Sequence, residues 1–183
     1  MSEELLILYC APTLAGIKTG NLFSMEMRDG KELLEEIRRL NGILVPRGLR
    51  MLPIGQKGDR ELIYVYRPAR LQRDLSDSKA STLLRDRGYP CGKPEQCVVH
   101  LVKNLRENTE FPHEIGLFLG YPPEDVQGFI ENRAEHCKCV GCWKVYGNVE
   151  EAKQRFRQYE KCTQVYYTQW RKGYSIERLA VTA

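Results

Sequence analysis

Two segments of high apolar and aromatic content, residues 49–54 and 61–66, flank a loop at 55–60 that contains two glycines. Apolar and aromatic residues of this kind are enriched in strands, and a short glycine-containing loop between two such segments is typical of a β-hairpin. Pro68 ends the second segment, because proline cannot donate to a strand ladder. This hairpin is the clearest strand signal in the chain, and it requires a fold that contains an antiparallel strand pair.

Three further segments are predicted to be strands: residues 5–10, 22–27 and 141–146. The first is a continuous apolar run, which is typical of a buried strand, and it ends at Cys10. A short helix over residues 11–18, with Pro12 in its first turn, is expected to follow. We expect the late strand to join the early sheet, which would bring Cys10 close to the cysteines of residues 137–142.

Apolar stripes and capping residues predict the helices. The longest begins after Asn148, a good N-cap, and continues to about Lys172. Its stripe has the three- and four-residue spacing of a helix that covers a core: Ala152, Phe156, Tyr159, Thr163, Tyr166 and Trp170. Shorter helices are predicted over residues 30–40, 69–75, 78–87 and 94–105. Asp29 is the predicted N-cap of the first of these, and Ser78 that of the third.

The order of these elements indicates an α+β protein. A length of 183 residues is enough for one domain with a real core, and we expect residues 1–183 to form a single domain. Within it, residues 1–68 and 141–183 are expected to form a small antiparallel or mixed sheet with its covering helices. Residues 69–135 are expected to form a helical subregion that contains a helix-turn-helix-like hairpin.

Composition limits the classes of function. The net charge of +4 and the pI near 8.6 are mildly basic, below the pI of about 9 and the clustered Lys and Arg that mark dedicated nucleic-acid binders. No segment approaches the roughly 18 apolar residues that span a bilayer, and the first residues lack the features of a signal peptide. We therefore expect a cytoplasmic protein without a membrane partner, in which the seven cysteines are thiols or metal ligands.

Residues 111–132 have the pattern of a helical hairpin, with a glycine-containing turn at Gly120 and a second helix that begins near Pro122. The spacing matches a helix-turn-helix unit, but a recognition helix reads bases through Arg, Lys, Asn or Gln. Here the second helix begins with Glu124 and Asp125, which phosphates repel. The pattern favours a packing element over a DNA reader.

Three motifs carry a family resemblance: CAPTLAGIK at residues 10–18, FPHEIGLFLGYP at 111–122 and WKVYG at 143–147. Together they resemble a bacterial family that is catalogued only as a domain of unknown function and is typical of anaerobes. The resemblance covers nearly the whole chain and implies a bacterial, cytoplasmic and anaerobic setting. It implies no catalytic residues, since it brings no established activity with it.

Cys139 and Cys142 have the two-residue gap of a zinc or iron–sulfur knuckle, and Cys137 or His136 would add a third ligand. Adjacent residues of an extended chain point to opposite faces, so the two would not ligate together. Cys162 or Cys10 would supply a fourth ligand in space. Structural zinc sites usually contain two such pairs, and the chain has no second Cys-x-x-Cys. The prediction is therefore a zinc or iron–sulfur site at Cys137, Cys139 and Cys142, and unligated cysteines are the alternative.

Three residues are candidates for catalysis. Cys10 is expected at a junction between a strand and a helix, where a helix N-terminus would lower the thiol pKa, and the simpler interpretation is a buried thiol. His113 and Glu114 are adjacent and form a candidate acid–base pair that would act with a thiol. The alternative is an exposed histidine beside a glutamate that suits the first turn of a helix.

These features favour a thiol-bearing cytoplasmic protein that handles a metal or a redox partner. One alternative is a nucleic-acid-binding regulator that uses the 111–132 hairpin together with Arg67, Arg70 and Arg73. Another is a protein–protein adaptor with an aromatic surface formed by Tyr166, Tyr167, Trp170 and Tyr174. The sequence leaves open whether the chain is an enzyme, which substrate it takes and how it oligomerises.

Overall fold

The computed structural model of the chain describes residues 3–26, 30–90, 92–107 and 110–182. At its centre lies a three-stranded antiparallel sheet with the strand order β1-β3-β2. The strands are β1 (Gly20–Glu26), β2 (Arg50–Lys57) and β3 (Arg60–Tyr66). The predicted hairpin is confirmed, since β2 and β3 are antiparallel neighbours that pair from Arg50 opposite Tyr66 to Lys57 opposite Arg60.

Helices cover the sheet on both faces, and a short 3₁₀ helix, Val45–Arg47, precedes β2. The α-helices of the described residues are α1 (Glu3–Leu14), α2 (Gly30–Leu44), α3 (Pro68–Leu75), α4 (Ser78–Arg85), α5 (Pro94–Glu107), α6 (Ile115–Phe118), α7 (Pro123–Glu131), α8 (Val149–Arg171) and α9 (Ile176–Leu179). This architecture confirms the predicted α+β class. That residues 1–183 form a single domain stays a prediction.

The central strand β3 sends alternate side chains to two separate cores, as the twofold period of a strand requires. Ile63 and Val65 belong to the core formed with α1, α2 and α9. Leu62, Tyr64 and Tyr66 belong to the core on the opposite face, formed with α3 to α7. A smaller third cluster lies between the start of α8 and residues 143–145.

The strand predicted over residues 5–10 is wrong, because these residues lie inside α1. The same helix replaces the short helix predicted over residues 11–18, and Pro12 lies within α1 rather than in a first turn. Burial explains the error: Leu6, Ile7 and Cys10 are fully enclosed between the sheet and α8. A short apolar run of this kind has no period that separates a buried helix from a buried strand.

The late strand does not join the early sheet, so that prediction is also wrong. Residues 144–145 form β5 (Lys144–Val145), which pairs with β4 (Cys139–Val140) in a separate two-stranded sheet. Contact between the two ends of the chain comes instead from α8, which packs along α1. The N-terminal segment is therefore covered by α8 rather than by the late strand.

The predicted helices are found with shifted ends. Asn148 caps α8 as predicted, accepting hydrogen bonds from the backbone N–H groups of Glu150 and Glu151. The cap of α4 is Asp77 rather than Ser78, because the Asp77 carboxylate accepts from the first turn of the helix. α2 continues four residues beyond Leu40. The Asp29 cap lies outside the described residues.

The 111–132 hairpin is less regular than predicted. Its first helix, α6, has only four residues, and α7 follows after a turn at Gly120. Asp125 does not face a groove, since its side chain is 2% exposed. Arg67, one of the three arginines expected to serve a nucleic-acid-binding regulator, precedes α3, is 1% exposed and donates to the carbonyls of Thr13 and Leu14. In the described part of the chain, no helix is long and apolar enough to cross a membrane.

Candidate functional site

A buried lysine stands at the turn between α1 and β1. α1 ends in a tight turn in which Gly16, with a φ of +76°, donates to the Thr13 carbonyl. The N–H groups of Ile17 and Lys18 both donate to the Pro12 carbonyl. This turn directs the Lys18 side chain back into the protein, where the residue is 5% exposed.

The Lys18 ammonium is held by one carbonyl and two aromatic rings. Nζ donates to the Gly20 carbonyl oxygen at 2.8 Å and lies 5.3 Å from the ring centre of Tyr121 and 5.9 Å from that of Tyr159. No carboxylate of the described residues lies within ion-pair distance of it. Burial lowers the pKa of Lys18 from 10.5 to about 8, and the Cys10 and Cys142 thiols oppose that change.

Close backbone approach brings the Lys18 turn against the turn before α7. A Cβ on Gly20 would lie 2.7 Å from the Tyr64 ring and 2.8 Å from the Phe118 carbonyl oxygen. Gly120 has a φ of +76°, and a Cβ there would lie 2.8 Å from the Thr19 hydroxyl oxygen. The Thr19 hydroxyl also makes a short hydrogen bond to Asp74 of α3. The contacts that support Tyr121 against Lys18 therefore require glycine at both turns.

Two clefts meet at Lys18, Tyr121 and Tyr159. One, here called the polar cleft, has a volume of about 400 Å³ and is lined also by Arg70, Asp74, Glu124, Glu151 and Arg155, among others. The other, here called the aromatic cleft, has a volume of about 650 Å³, and its further lining includes Tyr9, Cys142, Phe156 and Tyr167. Lys18 is therefore approached from a charged side and from a largely apolar side.

The β4–β5 sheet is fastened to α7 by one buried carboxylate. Asp125 Oδ2 accepts from the Trp143 indole N–H at 2.6 Å. Its Oδ1 accepts from the backbone N–H groups of Tyr146 at 2.8 Å and Gly147 at 2.7 Å. Trp143 in turn stacks on Tyr121, with ring centres 4.8 Å apart. The wall of the Lys18 site is thus supported by Asp125.

Cys10 does not lie at the start of a helix, which corrects the reason given for its reactivity. It lies in the second half of α1, is fully buried, and burial raises its thiol pKa to about 12, although Lys18 opposes this. Cys142 is exposed and lies on the aromatic cleft. Burial raises the pKa of Cys142 as well, and Lys18 opposes the increase. Lys18 therefore favours the ionised form of both thiols, but burial raises the pKa of each and disfavours a thiolate at neutral pH.

The cysteines of the proposed metal site are spread along the β4–β5 region. Cys137 and Cys139 are partly buried, Cys139 within the third hydrophobic cluster, and Cys142 lies at the turn between the two strands. Across residues 3–26, 30–90, 92–107 and 110–182, no group of three or more His, Cys, Asp or Glu side chains is arranged to hold a metal ion. The geometry therefore adds no support to a zinc or iron–sulfur site at Cys137, Cys139 and Cys142.

His113 and Glu114 face different surroundings. Glu114 is 7% exposed and accepts from the Tyr89 hydroxyl at 2.7 Å, with the Arg87 guanidinium 3.8 Å away. His113 packs against Phe111 and Phe129 at the edge of an apolar pocket of about 290 Å³. Glu114 therefore joins the turn before α6 to Tyr89 in the segment between α4 and α5, whereas His113 lies among aromatic rings, which does not favour an acid–base pair.

The central residues of the site were missed by the sequence analysis. Lys18 ends the CAPTLAGIK motif and Tyr121 follows the turn glycine Gly120, and neither position predicts a site. Tyr159 was interpreted only as a member of the α8 stripe. The available signal was a lysine between two glycines, Gly16 and Gly20, directly after an apolar segment.

Thiol reactivity distinguishes the two cysteines that act on Lys18. In the folded protein we expect N-ethylmaleimide to modify Cys142 at least ~100-fold faster than Cys10, because only an accessible sulfur that can ionise reacts. Peptide mass mapping after timed labelling, with and without urea, measures both rates. A Cys142→Ser variant identifies the labelled peptide, and equal rates at the two cysteines in native buffer would contradict the burial of Cys10.

A comparison with protein families gives one match. A family model described as "Protein of unknown function (DUF3793)" matches residues 6–180. Searches of curated proteins and of solved structures gave no match. The matched residues include both turns of the site and the whole of α8.

Proposed function

The chain belongs to the DUF3793 family of proteins of unknown function, which confirms the expected membership of an uncharacterised family. We propose, from the structure of the Lys18 site, that it binds a small organic anion over Lys18. The observation that carries the proposal is the buried Lys18 ammonium, which has no carboxylate partner among the described residues and lies where two clefts meet. Burial of an unpaired charge is costly, and a bound anion would offset that cost.

The charges of the polar cleft also favour an anion. Three of its four carboxylates are engaged: Asp74 accepts from Thr19, Asp77 caps α4, and Glu151 pairs with Arg155. The fourth, Glu124, lies in the first turn of α7. Arg70, by contrast, has no ion-pair partner among the described residues. Lys18 and Arg70 therefore offer two cations to one ligand, while the aromatic cleft offers apolar surface for the rest of it.

Thermal unfolding with small probes tests the proposal. Phenylacetate at ten times its Kd should raise the Tm of the wild type by roughly 3–6 °C, since the bound state gains about 1.4 kcal/mol. The neutral analogue benzyl alcohol should give no such increase. The Lys18→Met variant should lose the response to phenylacetate, and the control Lys161→Met, on an exposed position of α8, should keep it.

Two results would contradict anion binding at this site. One is the absence of any stabilisation by phenylacetate, benzoate or inorganic phosphate at constant ionic strength. The other is an equal response in the wild type and Lys18→Met. In both comparisons the measured quantity is the change of Tm on adding the probe, because the substitution itself alters the Tm.

A thiol function is the second candidate, and the exposed Cys142 on the aromatic cleft favours it. In this version Cys142 would react with or protect a ligand held over Lys18, and a reducing, cytoplasmic setting would keep it a thiol. The bacterial and anaerobic setting stays a prediction. Loss of ligand-dependent thiol modification in Cys142→Ser, with Cys139→Ser as the matched control, would support this role.

The other two functions have less support. A nucleic-acid-binding regulator would need accessible cations, but Arg67 is buried against backbone carbonyls and α7 begins with acidic residues. A protein–protein adaptor would need an exposed aromatic surface on α8 and beyond. The four residues of that predicted surface pack against a hydrophobic core instead: Tyr166, Tyr167, Trp170 and Tyr174.

A further inference from the structure

The Lys18 amine is placed for chemistry as well as for binding. Its one hydrogen-bond partner in the described residues is the Gly20 carbonyl oxygen. This oxygen accepts a hydrogen bond from the amine but is not a base that removes its proton. The faces of Tyr121 and Tyr159 attract the ammonium without binding it covalently or forming an ion pair. A lysine that is desolvated in this way is the type of amine that serves as a nucleophile toward carbonyl compounds.

The two clefts define the shape of a suitable carbonyl compound. On the polar side Arg70 is available to a carboxylate. On the other side Tyr9, Phe156 and Tyr167 present aromatic surface, which suits a ring. Lys18 lies between these two sides, so the reacting carbon of a ligand that spans both clefts must lie between its carboxylate and its ring.

We propose that Lys18 forms an imine with the carbonyl carbon of an aromatic 2-oxo acid, a step that rests on the proposed binding function. The lone pair of Nζ attacks the carbonyl carbon to give a carbinolamine. A carbon–nitrogen double bond then replaces the carbon–oxygen bond, and the oxygen leaves as water with both amine hydrogens. No oxidant, reductant or metal enters this balance.

The protonation state at neutral pH is compatible with this step. With its pKa lowered from 10.5 to about 8, Lys18 has a neutral fraction at pH 7 that is roughly 300-fold larger than that of an ordinary lysine. Burial raises the pKa of Tyr121 to about 12 and also raises that of Tyr159. Both phenols therefore stay protonated beside the amine and retain a proton to donate.

Reductive trapping tests the imine. Wild-type protein is incubated at pH 7 with phenylpyruvate and sodium cyanoborohydride, and the modified lysines are mapped by mass spectrometry. We expect Lys18 to be alkylated at least ~100-fold faster than the exposed Lys161 of α8. The Lys161→Arg variant should be trapped as the wild type is, and Lys18→Arg should lose the rapid modification.

Arg70 tests the predicted class of substrate. Arg70→Gln should slow trapping by phenylpyruvate about tenfold or more, because the carboxylate loses its cation, and should leave trapping by the uncharged phenylacetaldehyde nearly unchanged. Equal slowing with both probes would refute the assignment of the carboxylate to Arg70. Trapping of Lys18 no faster than Lys161 would refute the imine itself.

Phenyllactate separates the failure of this inference from the failure of the proposed function, because its hydroxyl carbon cannot form an imine. If phenyllactate stabilises the wild type but not Lys18→Met, and phenylpyruvate is not trapped, anion binding stands and the imine is refuted. If phenyllactate does not bind and phenylpyruvate is not trapped, both are refuted. Rapid trapping at Lys18 together with phenyllactate binding supports both.

Discussion

Replacement of Asp125 by alanine should lower the free energy of unfolding by about 3–5 kcal/mol. Asp125 is 2% exposed and accepts three hydrogen bonds, from the Trp143 indole and from two backbone N–H groups at residues 146–147. Alanine leaves these donors without their acceptor in a buried place. The effect should exceed that of an ordinary surface substitution, which is within about 0.5 kcal/mol.

Asp125→Asn tests which atoms are responsible. The amide oxygen can still accept from the two backbone N–H groups, but its NH₂ group would face the Trp143 indole N–H, and two donors repel each other. We therefore expect an intermediate loss of about 2–3 kcal/mol. Urea denaturation followed by far-UV circular dichroism gives the free energy of unfolding of the wild type, Asp125→Ala and Asp125→Asn. Glu131→Gln on the same helix is the control. A loss below 1 kcal/mol in Asp125→Ala would contradict the role given to this carboxylate.

Asp125→Asn should also weaken ligand binding at the Lys18 site. Trp143 stacks on Tyr121, and Tyr121 forms one wall of the Lys18 site, so release of the β4–β5 sheet removes support from that wall. Phenylacetate should consequently stabilise Asp125→Asn less than the wild type, even under conditions where both are folded. Glu131→Gln should respond as the wild type does.

Lys18→Met should stabilise the protein at pH 7 by about 1–2 kcal/mol, the opposite sign to most substitutions of buried residues. A decrease of the pKa from 10.5 to about 8 corresponds to about 3 kcal/mol of cost for the buried charge. Methionine has a similar length and no charge. The loss of the hydrogen bond to Gly20 and of the two ring contacts offsets part of the gain.

The pH dependence of this stability difference tests whether the buried charge of Lys18 is its cause. The pKa is lowered on folding, so below pH 8 both states carry the proton and the folded state bears the full cost. As the pH rises from 8 to 10.5, the folded state releases the proton before the unfolded state does, and the wild type gains stability. The advantage of Lys18→Met should therefore shrink across this range and be lost between about pH 9 and pH 9.5.

The stability difference between wild type and Lys18→Met, measured by urea denaturation at several pH values, tests this directly. The ionisation of groups that do not interact with Lys18 cancels in the difference. Cys10 and Cys142 do interact with Lys18, so the same comparison in a Cys142→Ser background separates the contribution of the accessible thiol. Lys161→Met, at an exposed position of the same site-forming helix α8, should show no such dependence. A Lys18→Met protein that is less stable than the wild type at pH 7, with a gap that does not vary with pH, would exclude an uncompensated buried charge.

Much of the fold was predictable from local patterns. The β2–β3 hairpin and α8 with its Asn148 cap are specified by side-chain period, turn residues and capping, which act over a few neighbours. The N-terminal segment was not predictable in this way. Within residues 5–10, Leu6, Ile7 and Cys10 are buried between the sheet and α8, whereas Leu8 and Tyr9 are exposed, and the apolar run by itself does not show which side is covered.

The site was harder to predict than the fold. The cysteines attracted attention because their spacing is a recognised pattern, whereas a single lysine has no pattern. What makes Lys18 unusual is its distance from carboxylates and its contact with Tyr121 and Tyr159, residues more than 100 positions away in the chain. Similarly, Asp125 was interpreted as a solvent-facing charge because only the folded chain brings Trp143 to it.

The α+β class, the central hairpin, the long capped helix and the family follow from local information, since each depends on neighbouring residues or on motifs within one segment. The helical state of α1, the departure of β5 from the main sheet and the burial of Lys18 between two tyrosines arise in the folded chain. The physical reason is that burial and desolvation depend on what surrounds a residue in space. The charge state of an amine follows from those surroundings, and no local pattern records them.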